Sequence, residues 1–326
     1  MNFRTIIELE EKKNKIDYSN RIMFLGSCFA ENIGEIFNIN KFKVSVNPYG
    51  IVYNPISVAN VLKSIISEEP FRDDDFIFTN DKWASFLHHG KFSNSNISIL
   101  KEDLEHNRKK AYDFLVSTDV LIITLGTSWV YENIQTSRIV SNCHKLPSST
   151  FNRYRLSVDD IVSEYNSLIN RLRDINPKLK IIFTLSPIRH LKDTAHGNQL
   201  SKSVLLLAID EIVSNFSNIE YFPSYEIVMD DLRDYRFYKD DMIHISDFAV
   251  QYIWESFKKI YFSIETENTM KDVNKIIKAV NHRPTDPSSS QYSKFLINTI
   301  KKIDDLNLKY SEIDFSKEKE SLMLKL

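Results

Sequence analysis

Five short apolar runs alternate with amphipathic stretches between residues 21 and 262, and this alternation limits the chain to few folds. The runs are predicted strands at Arg21–Gly26, Lys43–Tyr49, Val120–Leu125, Leu179–Leu185 and Ile219–Phe222. The third run is apolar on both faces, as a central parallel strand is. Strands that alternate with helices form right-handed βαβ units. The sequence therefore predicts an α/β fold, a three-layer α/β/α sandwich around a mainly parallel five-stranded sheet.

The alternation of predicted strands and helices is interrupted at three places, and these interruptions predict the domain organisation. We expect one α/β domain over residues 1–262, interrupted by insertions at about 70–99 and 129–151, the second of them a hairpin. Beyond it, residues 263–326 are expected to form a helical extension with helices near Val273–Val280 and Phe295–Leu306. This extension is a candidate surface for homo-oligomer formation, and its lysine-rich end, about 316–326, is expected to fray.

Composition excludes several classes of function. A formal charge of −2 with no broad basic field argues against nucleic-acid binding. No apolar run approaches the ~20 residues needed to span a bilayer, and the first residues lack the apolar core of a secretory signal, so a cytoplasmic location is expected. The two cysteines, Cys28 and Cys143, provide neither a disulfide framework nor metal-ligand spacing. No metal or cofactor is expected.

Glycine is rare, with 6 in 326 residues, and half of the glycines end predicted strands: Gly26, Gly50 and Gly126. Glycine is favoured where a side chain would obstruct a turn or a ligand. In open α/β sheets, ligands bind beyond the carboxyl ends of the strands. These positions are therefore interpreted as the edge of a binding crevice, although each of them alone is equally explained as a strand-ending turn.

Three residues form a candidate catalytic triad. Ser27 follows the first strand at the turn into a helix, and Asp241 and His244 stand three apart in a late loop. A serine hydroxyl becomes a nucleophile when a base takes its proton, and an imidazole held by a carboxylate is such a base. This predicts a rate that rises with pH as the imidazole loses its proton. The alternative is that Asp241 and His244 are a solvated loop pair.

Donors for an oxyanion are expected at the neighbouring strand ends, from the backbone N–H of Ser27 or Cys28 and that of Gly50. Cys28 is itself an alternative nucleophile. Arg189 and His190 end the fourth strand, where Arg189 can bind a substrate carboxylate or phosphate or instead form a structural ion pair. His88, His89 and His144 suggest a metal site as a further alternative, but their spacing does not match that of a zinc site.

Several motifs, in this order, resemble those of the GSCFA-domain family, itself related to the SGNH/GDSL hydrolase superfamily. The resemblance covers about residues 3–310, and the motifs lie at Gly26–Ala30, Asn47–Gly50, Leu125–Ser128, Asn142–Lys145, Ser186–His190, Tyr221–Glu226, Arg233–Tyr238 and Asp241–His244.

The resemblance implies an SGNH/flavodoxin-like sandwich with Ser27 as nucleophile and oxyanion donor, Gly50 as second donor, and Asp241 and His244 completing the triad. The hydrolases place an asparagine two residues after the third-block glycine, as an oxyanion donor. This chain has Ser128 there, whose shorter hydroxyl is expected to fill that role only in part, so Asn47 or Asn142 is considered as a substitute donor. Candidate substrate-binding residues at these motifs are Asn47, Thr127, Asn142, His144, Arg189 and His190.

These features predict an esterase or deacylase that removes an O-acyl group from a carbohydrate or another small metabolite. Two alternatives remain. An acyltransferase would use the same site with an alcohol in place of water. A non-catalytic binding or assembly module would keep the fold, and the missing third-block asparagine favours it.

Overall fold

The structure, a computed structural model, describes residues 5–326. Its strands are β1 (Arg21–Gly26), β2 (Lys43–Val46), β3 (Phe76–Thr79), β4 (Lys82–Ser85), β5 (Ser93–Asn94), β6 (Val120–Leu125), β7 (Trp129–Asn133), β8 (Arg138–Ile139), β9 (Phe151–Arg155), β10 (Lys180–Leu185) and β11 (Ile219–Phe222). Its helices are α1 (Cys28–Ile39), α2 (Pro55–Ile65), α3 (Ile97–Leu115), α4 (Val158–Ile175), α5 (Thr194–Asn215), α6 (Ser224–Glu226), α7 (Asp247–Tyr261), α8 (Ile264–Val280), α9 (Ser290–Lys309) and α10 (Ser316–Met323).

Five strands form the central sheet in the order β2-β1-β6-β10-β11, with helices on both faces. The β1–β6, β6–β10 and β10–β11 pairs are parallel. The predicted three-layer sandwich is therefore confirmed. Because the direction of strand order reverses between β1 and β6, the ends of these two strands flank the switch point where this class of sheet binds ligands.

The central strands are apolar and buried on both faces, in the alternation that strand geometry requires. Odd-numbered residues such as Met23, Leu125 and Phe183 pack into one cluster with side chains of α2, α4 and α5. Even-numbered residues such as Phe24 and Ile182 are equally buried and point to the opposite face. Helices on both sides thus hold the sheet rigid beneath its carboxyl edge.

Several element boundaries differ from the predicted ones, and α8 and α9 begin earlier than expected, at Ile264 and Ser290. The strand β2 ends at Val46, because Asn47 adopts a φ of 44° and leaves the extended conformation. The helix α5 begins at Thr194, ten residues before the apolar run at Val204 from which the sequence predicts its start. Its first turns carry buried polar side chains, Asn198 and Ser201 among them, so the apolar period that identifies a helix is interrupted there.

Both predicted insertions form small antiparallel sheets. The first contains the sheet β3-β4-β5, whose first turn uses Asn80 and Asp81 at positive φ. The second contains the predicted hairpin, β7 with β8, and β9 adds to the other side of β7. Both segments are therefore ordered parts of the domain.

The chain divides into two compact units. The larger is formed mainly by Arg21–Glu35 and Val44–Glu255 and contains the central sheet. The smaller comprises Leu9–Asn20, Ile36–Lys43 and Ser256–Leu326, so it takes in two earlier segments besides the expected C-terminal helices.

Within the smaller unit, α8, α9 and α10 pack on one another. The prediction that the end of the chain frays is wrong, because α10 buries Leu322 and pairs Lys319 with Asp304 of α9. Within residues 5–326, none of the helices has the length and apolar composition needed to cross a bilayer.

Candidate active site

Ser27 lies between the end of β1 and the start of α1, at the floor of a cleft of about 500 Å³. The turn is tight because Gly26 has a φ of 136°, and a Cβ there would stand 2.1 Å from the Thr124 carbonyl oxygen. Ser27 donates its N–H to that same oxygen, and its hydroxyl accepts the N–H of Phe29 at 3.3 Å. Ser27 is 0% exposed, so the strand, the turn and the helix fix its position completely.

Asp241 and His244 form a hydrogen-bonded pair in a loop on the rim of the cleft. The Asp241 carboxylate accepts the N–H groups of Ile243 and His244, both at 2.9 Å, and contacts Nδ1 of the His244 ring at 2.6 Å. The bond from the ring is the main reason why the pKa of Asp241 falls to about 2, and the two backbone N–H groups lower it further. With Nδ1 held by a carboxylate, Nε2 is the nitrogen left to accept a proton.

Met242, between these two residues, has a φ of 56°, which turns the loop sharply. Its carbonyl accepts a hydrogen bond from Arg189, and the His244 carbonyl accepts the N–H of Lys239 at 2.7 Å. The loop is therefore braced on both sides of the imidazole.

Ser27 and His244 line the same cleft, whereas Asp241 stands behind the imidazole, outside the lining. Among residues 5–326, no hydrogen bond joins the Ser27 hydroxyl to the His244 ring. Catalytic hydrogen bonds are often long in ligand-free structures and tighten in the substrate complex. The three predicted residues therefore lie at one site. Among the described residues, the Ser27 hydroxyl and the His244 ring are not hydrogen-bonded to each other.

The three predicted oxyanion donors are engaged within the protein. The N–H of Ser27 donates to Thr124, that of Gly50 donates to the Asn47 carbonyl at 2.7 Å, and Ser128 donates to Ser201 from its N–H and its hydroxyl. Gly50 and Ser128 also lie outside the cleft lining. The structure thus directs these donors away from the position of a reacting carbonyl.

Two asparagine amides line the cleft instead. The Asn54 oxygen accepts the N–H of Ser57 at 2.8 Å, and the Asn142 oxygen accepts the N–H of His144 at 2.9 Å. With its oxygen occupied in this way, each amide has its NH2 group left to donate. Asn142 was a predicted substitute donor. Asn54 was missed, because from sequence it reads only as the N-cap of α2.

The other predicted binding residues divide into two groups. Thr127, Arg189 and His190 line the cleft. Asn47 and His144 do not: the Asn47 side-chain oxygen accepts the N–H of Gly26, and His144 Nε2 contacts the Ser85 carbonyl oxygen at 2.8 Å. Their roles in this structure are to hold neighbouring turns.

Histidine burial shapes the electrostatics of the cleft and its surroundings. Burial lowers the pKa of His190 to about 4 and also lowers that of His144. His88, stacked on Tyr49 with a ring separation of 4.1 Å, is fully buried, and this burial lowers its pKa to about 3. Within residues 5–326, no group of three or more His, Cys, Asp or Glu side chains is arranged to hold a metal ion.

Both cysteines are free thiols and both line the cleft. Burial raises the pKa of the Cys28 thiol and that of the Cys143 thiol, which disfavours the thiolate in each. Since the thiolate is the nucleophilic form, this weakens the case for Cys28 as the attacking group.

The second insertion and the strand β9 at its end supply one wall of the cleft, with Trp129, Tyr131 and Arg153. The Arg153 guanidinium lies 4.3 Å from the centre of the Trp129 ring and pairs with Asp193. Lys192, next to Asp193, completes this side and donates to the Tyr131 hydroxyl at 2.7 Å. No local sequence pattern identifies these residues as parts of a site.

Comparisons with known proteins place the chain in a family. The model of the GSCFA family matches residues 21–257, and that of the GSCFA domain protein, C-terminal domain, matches residues 273–326. No curated protein matches.

Among solved structures, the chain is similar to an acetyl xylan esterase, Est2A, from the rumen bacterium Butyrivibrio proteoclasticus. The two share 16% identity at a TM-score of 0.34, over 65% of this chain and 57% of the esterase chain. A similarity of this size does not indicate a shared activity. The family match, in contrast, spans most of the chain, which therefore belongs to the GSCFA family.

Proposed function

We propose that this protein is a serine hydrolase that cleaves an ester through a covalent acyl-enzyme on Ser27. The main support is the pairing of Asp241 with His244 in a loop that brings the imidazole to the cleft holding Ser27. A carboxylate on one ring nitrogen and a serine at the floor of the same cleft are the parts that this chemistry requires.

In this proposal, His244 Nε2 takes the hydroxyl proton as Ser27 Oγ attacks the ester carbonyl carbon. The bond to the alcohol oxygen then breaks, and the imidazolium gives its proton to the departing alcohol. Water attacks the acyl-enzyme with His244 again as base, and the acid leaves as Ser27 regains its proton. The Asp241 carboxylate stays ionised throughout and stabilises the imidazolium.

The developing oxyanion needs donors that are not already occupied. We assign this role to the backbone N–H of Cys28 and the amide of Asn54, with Asn142 as the third donor. The Cys28 N–H opens α1, where the first N–H groups have no carbonyl partner within the helix, and its contact inside the protein is with the sulfur of its own side chain, a weak acceptor. These groups replace the predicted donors Gly50 and Ser128.

The substrate is an O-acyl ester of a carbohydrate or another small metabolite. Trp129 and Tyr131 offer flat apolar surfaces beside polar groups, which suits the faces of a sugar ring.

A second function, a binding module without catalysis, is favoured by one observation. Ser27 is fully buried and makes no hydrogen bond to His244 among the described residues. In that case the cleft would hold a ligand without cleaving it.

Steady-state hydrolysis of p-nitrophenyl acetate separates the two functions. For a hydrolase we expect Ser27→Ala to lower kcat by at least about 10³-fold, because removal of a nucleophile removes the covalent route. Cys28→Ala is the matched control, since it removes a neighbouring nucleophile in the same cleft and should change kcat by less than about threefold. A Ser27→Ala variant as active as the wild type would contradict the proposal, and a folded wild type with no activity would favour the binding module.

A further inference from the structure

The cleft carries an excess of positive charge that the chain as a whole does not. The whole chain has a formal charge of −2 with neutral histidines. The cleft lining contains the cations Arg153, Arg189 and Lys192 and a single carboxylate, Asp193. The cleft lining therefore has a formal charge of +2, from three cations and one anion.

The one carboxylate of the cleft lining already has an ion-pair partner. Asp193 pairs with Arg153, so that pair is locally neutral. Arg189 and Lys192 have only neutral acceptors, the Met242 carbonyl oxygen and the Tyr131 hydroxyl, respectively. In the part of the chain that the structure describes, no carboxylate lies within 4.0 Å of either cation. Both charges lack a counterion.

Aromatic rings hold the Arg189 guanidinium without neutralising it. Its central carbon lies 4.6 Å from the centre of the Tyr238 ring and 5.5 Å from that of Tyr235. Its Nε is buried and has no hydrogen-bond acceptor within residues 5–326. A cation that is oriented in advance and partly desolvated binds an anion better than a fully solvated one, because less order is lost on binding.

Arg189 also touches the loop of the Asp241–His244 pair through the Met242 carbonyl oxygen. An anion bound at Arg189 would therefore sit beside the proposed catalytic base. The Lys192 ammonium donates to the Tyr131 hydroxyl, and among the described residues it makes no hydrogen bond to that loop. A substitution of Lys192 therefore removes one cation and keeps the hydrogen bond from Arg189 to the loop.

We propose that the ester taken by this cleft carries an anionic group, a phosphate or a carboxylate, which binds between Arg189 and Lys192. The inference rests on the proposed function, because it names the substrate class of the same site. The anionic group takes no part in bond breaking. It anchors one end of the substrate and leaves the acyl carbonyl at Ser27.

The kinetic test compares phenyl acetate with 4-acetoxybenzoate and 4-acetoxyphenyl phosphate, each corrected for its rate of hydrolysis by hydroxide. We expect the wild type to prefer one or both anionic esters by about tenfold or more in kcat/KM, and added salt to reduce this preference. The two esters distinguish a carboxylate site from a phosphate site. Equal corrected values for the neutral ester and both anionic esters would overturn the proposal.

The decisive variant is Lys192→Met, which removes one charge and keeps an unbranched side chain of nearly the same length. It should raise KM for the anionic ester about tenfold and lower kcat/KM for the anionic ester about tenfold more than that for phenyl acetate, a split that general unfolding would not produce. Lys110→Met, at an exposed position of α3, is the control with the same change of charge. An unchanged preference in Lys192→Met would contradict the assignment.

A binding test keeps the inference separate from catalysis. Calorimetric titration of the Ser27→Ala protein with 4-acetoxybenzoate, 4-acetoxyphenyl phosphate and phenyl acetate requires no turnover. Tighter binding of an anionic ester, lost in the Ser27→Ala/Lys192→Met protein, would support the anion site even if the wild type hydrolyses nothing. Equal affinity for all three compounds would overturn the anion site even if Ser27 proves catalytic.

Discussion

Asp241 accepts three hydrogen bonds from its own loop, two from backbone N–H groups and one from the His244 ring. The two backbone bonds fix the carboxylate, and the carboxylate fixes the ring. Because the pKa of Asp241 is lowered to about 2, this carboxyl is ionised at every pH at which enzymes are ordinarily assayed. A loss of activity between pH 4 and pH 7 must therefore arise from a group other than Asp241.

Asp241→Asn should lower kcat by about 10³- to 10⁴-fold with little change in KM. The asparagine oxygen would take the backbone N–H groups and turn the amide NH2 towards Nδ1. The ring proton would then move to Nε2, and the base would be lost. Asp240→Asn is a matched control, because the Asp240 side chain is exposed and forms no hydrogen bond or ion pair with the residues that the structure describes. Steady-state kinetics of both variants provide the comparison. A reduction of less than about threefold for Asp241→Asn would remove Asp241 from the mechanism.

The sequence predicts Ser27, Asp241 and His244 as a candidate site, because a strand end and an Asp-x-x-His spacing are local patterns. Asn54, Arg153 and Lys192 were not identified. Their places in the cleft depend on how α2, β9 and the segment before α5 come together, over separations of up to 138 residues from Asn54 to Lys192. A local sequence pattern does not indicate contacts between residues so far apart in the chain. Gly50 and Ser128 show the converse, since each lies in a matching motif while the hydrogen bonds of the fold occupy its donors.

The helix α5 connects to the ends of two central strands through one buried side chain. Lys202 donates to the carbonyl oxygens of Gly126 and Ser186, at 2.7 and 2.6 Å, directly beyond β6 and β10. Its neighbour Ser201 accepts the N–H of Ser128. This helix therefore sets the positions of the turns at the carboxyl edge of the sheet.

Burial lowers the pKa of Lys202 to about 7. In the unfolded chain a lysine has a pKa of about 10.4, so between about pH 7 and pH 10 the unfolded state binds more protons than the folded state. The free energy of unfolding should therefore rise with pH in this window, by at most about 1.4 kcal/mol per pH unit from this group. Below pH 7 the group is charged in both states and its contribution is constant.

Urea unfolding of the wild type and Lys202→Met at pH 6, 7.5 and 9 tests this linkage. We expect the difference in unfolding free energy, wild type minus variant, to increase with pH, because methionine does not titrate. Lys110→Met should give a difference that does not change with pH. A difference that is constant, or that falls with pH, for Lys202→Met would show that Lys202 keeps an ordinary pKa in the folded protein.

Apolar periodicity predicted the central strands and most of the helices, because these elements bury one or both faces against other apolar side chains. It failed at the start of α5, where buried polar groups such as Asn198 and Lys202 take the positions that apolar residues usually fill. It also missed the small sheet of β3, β4 and β5, whose strands have at most four residues and are too short for a clear alternation.

At the scale of the whole molecule, the family match and the compact units divide the chain in related ways. The family models match residues 21–257 and 273–326, and the smaller compact unit contains Ser256–Leu326. From the sequence alone, the boundary between the α/β domain and the helical extension is expected near residue 262. It did not assign Leu9–Asn20 and Ile36–Lys43 to the smaller unit, because such packing is a property of the folded chain.

Charge is distributed unevenly over the molecule. A net charge of −2 summed over the sequence gives no indication of a cationic cleft, because acidic residues elsewhere outweigh Arg189 and Lys192 in the total. Only the fold shows that these two cations face a shared cavity while Asp193 is paired with Arg153. The substrate class proposed here therefore follows from the spatial arrangement and not from the composition.

The central claim is that His244 activates Ser27. The most direct measurement is mass spectrometry of the folded protein after incubation with a fluorophosphonate, beside Ser27→Ala and His244→Ala. The account predicts one adduct per chain, located on Ser27, absent from Ser27→Ala and strongly reduced in His244→Ala. An adduct on Cys28 or another residue, or a wild type that hydrolyses esters without any adduct on Ser27, would contradict it.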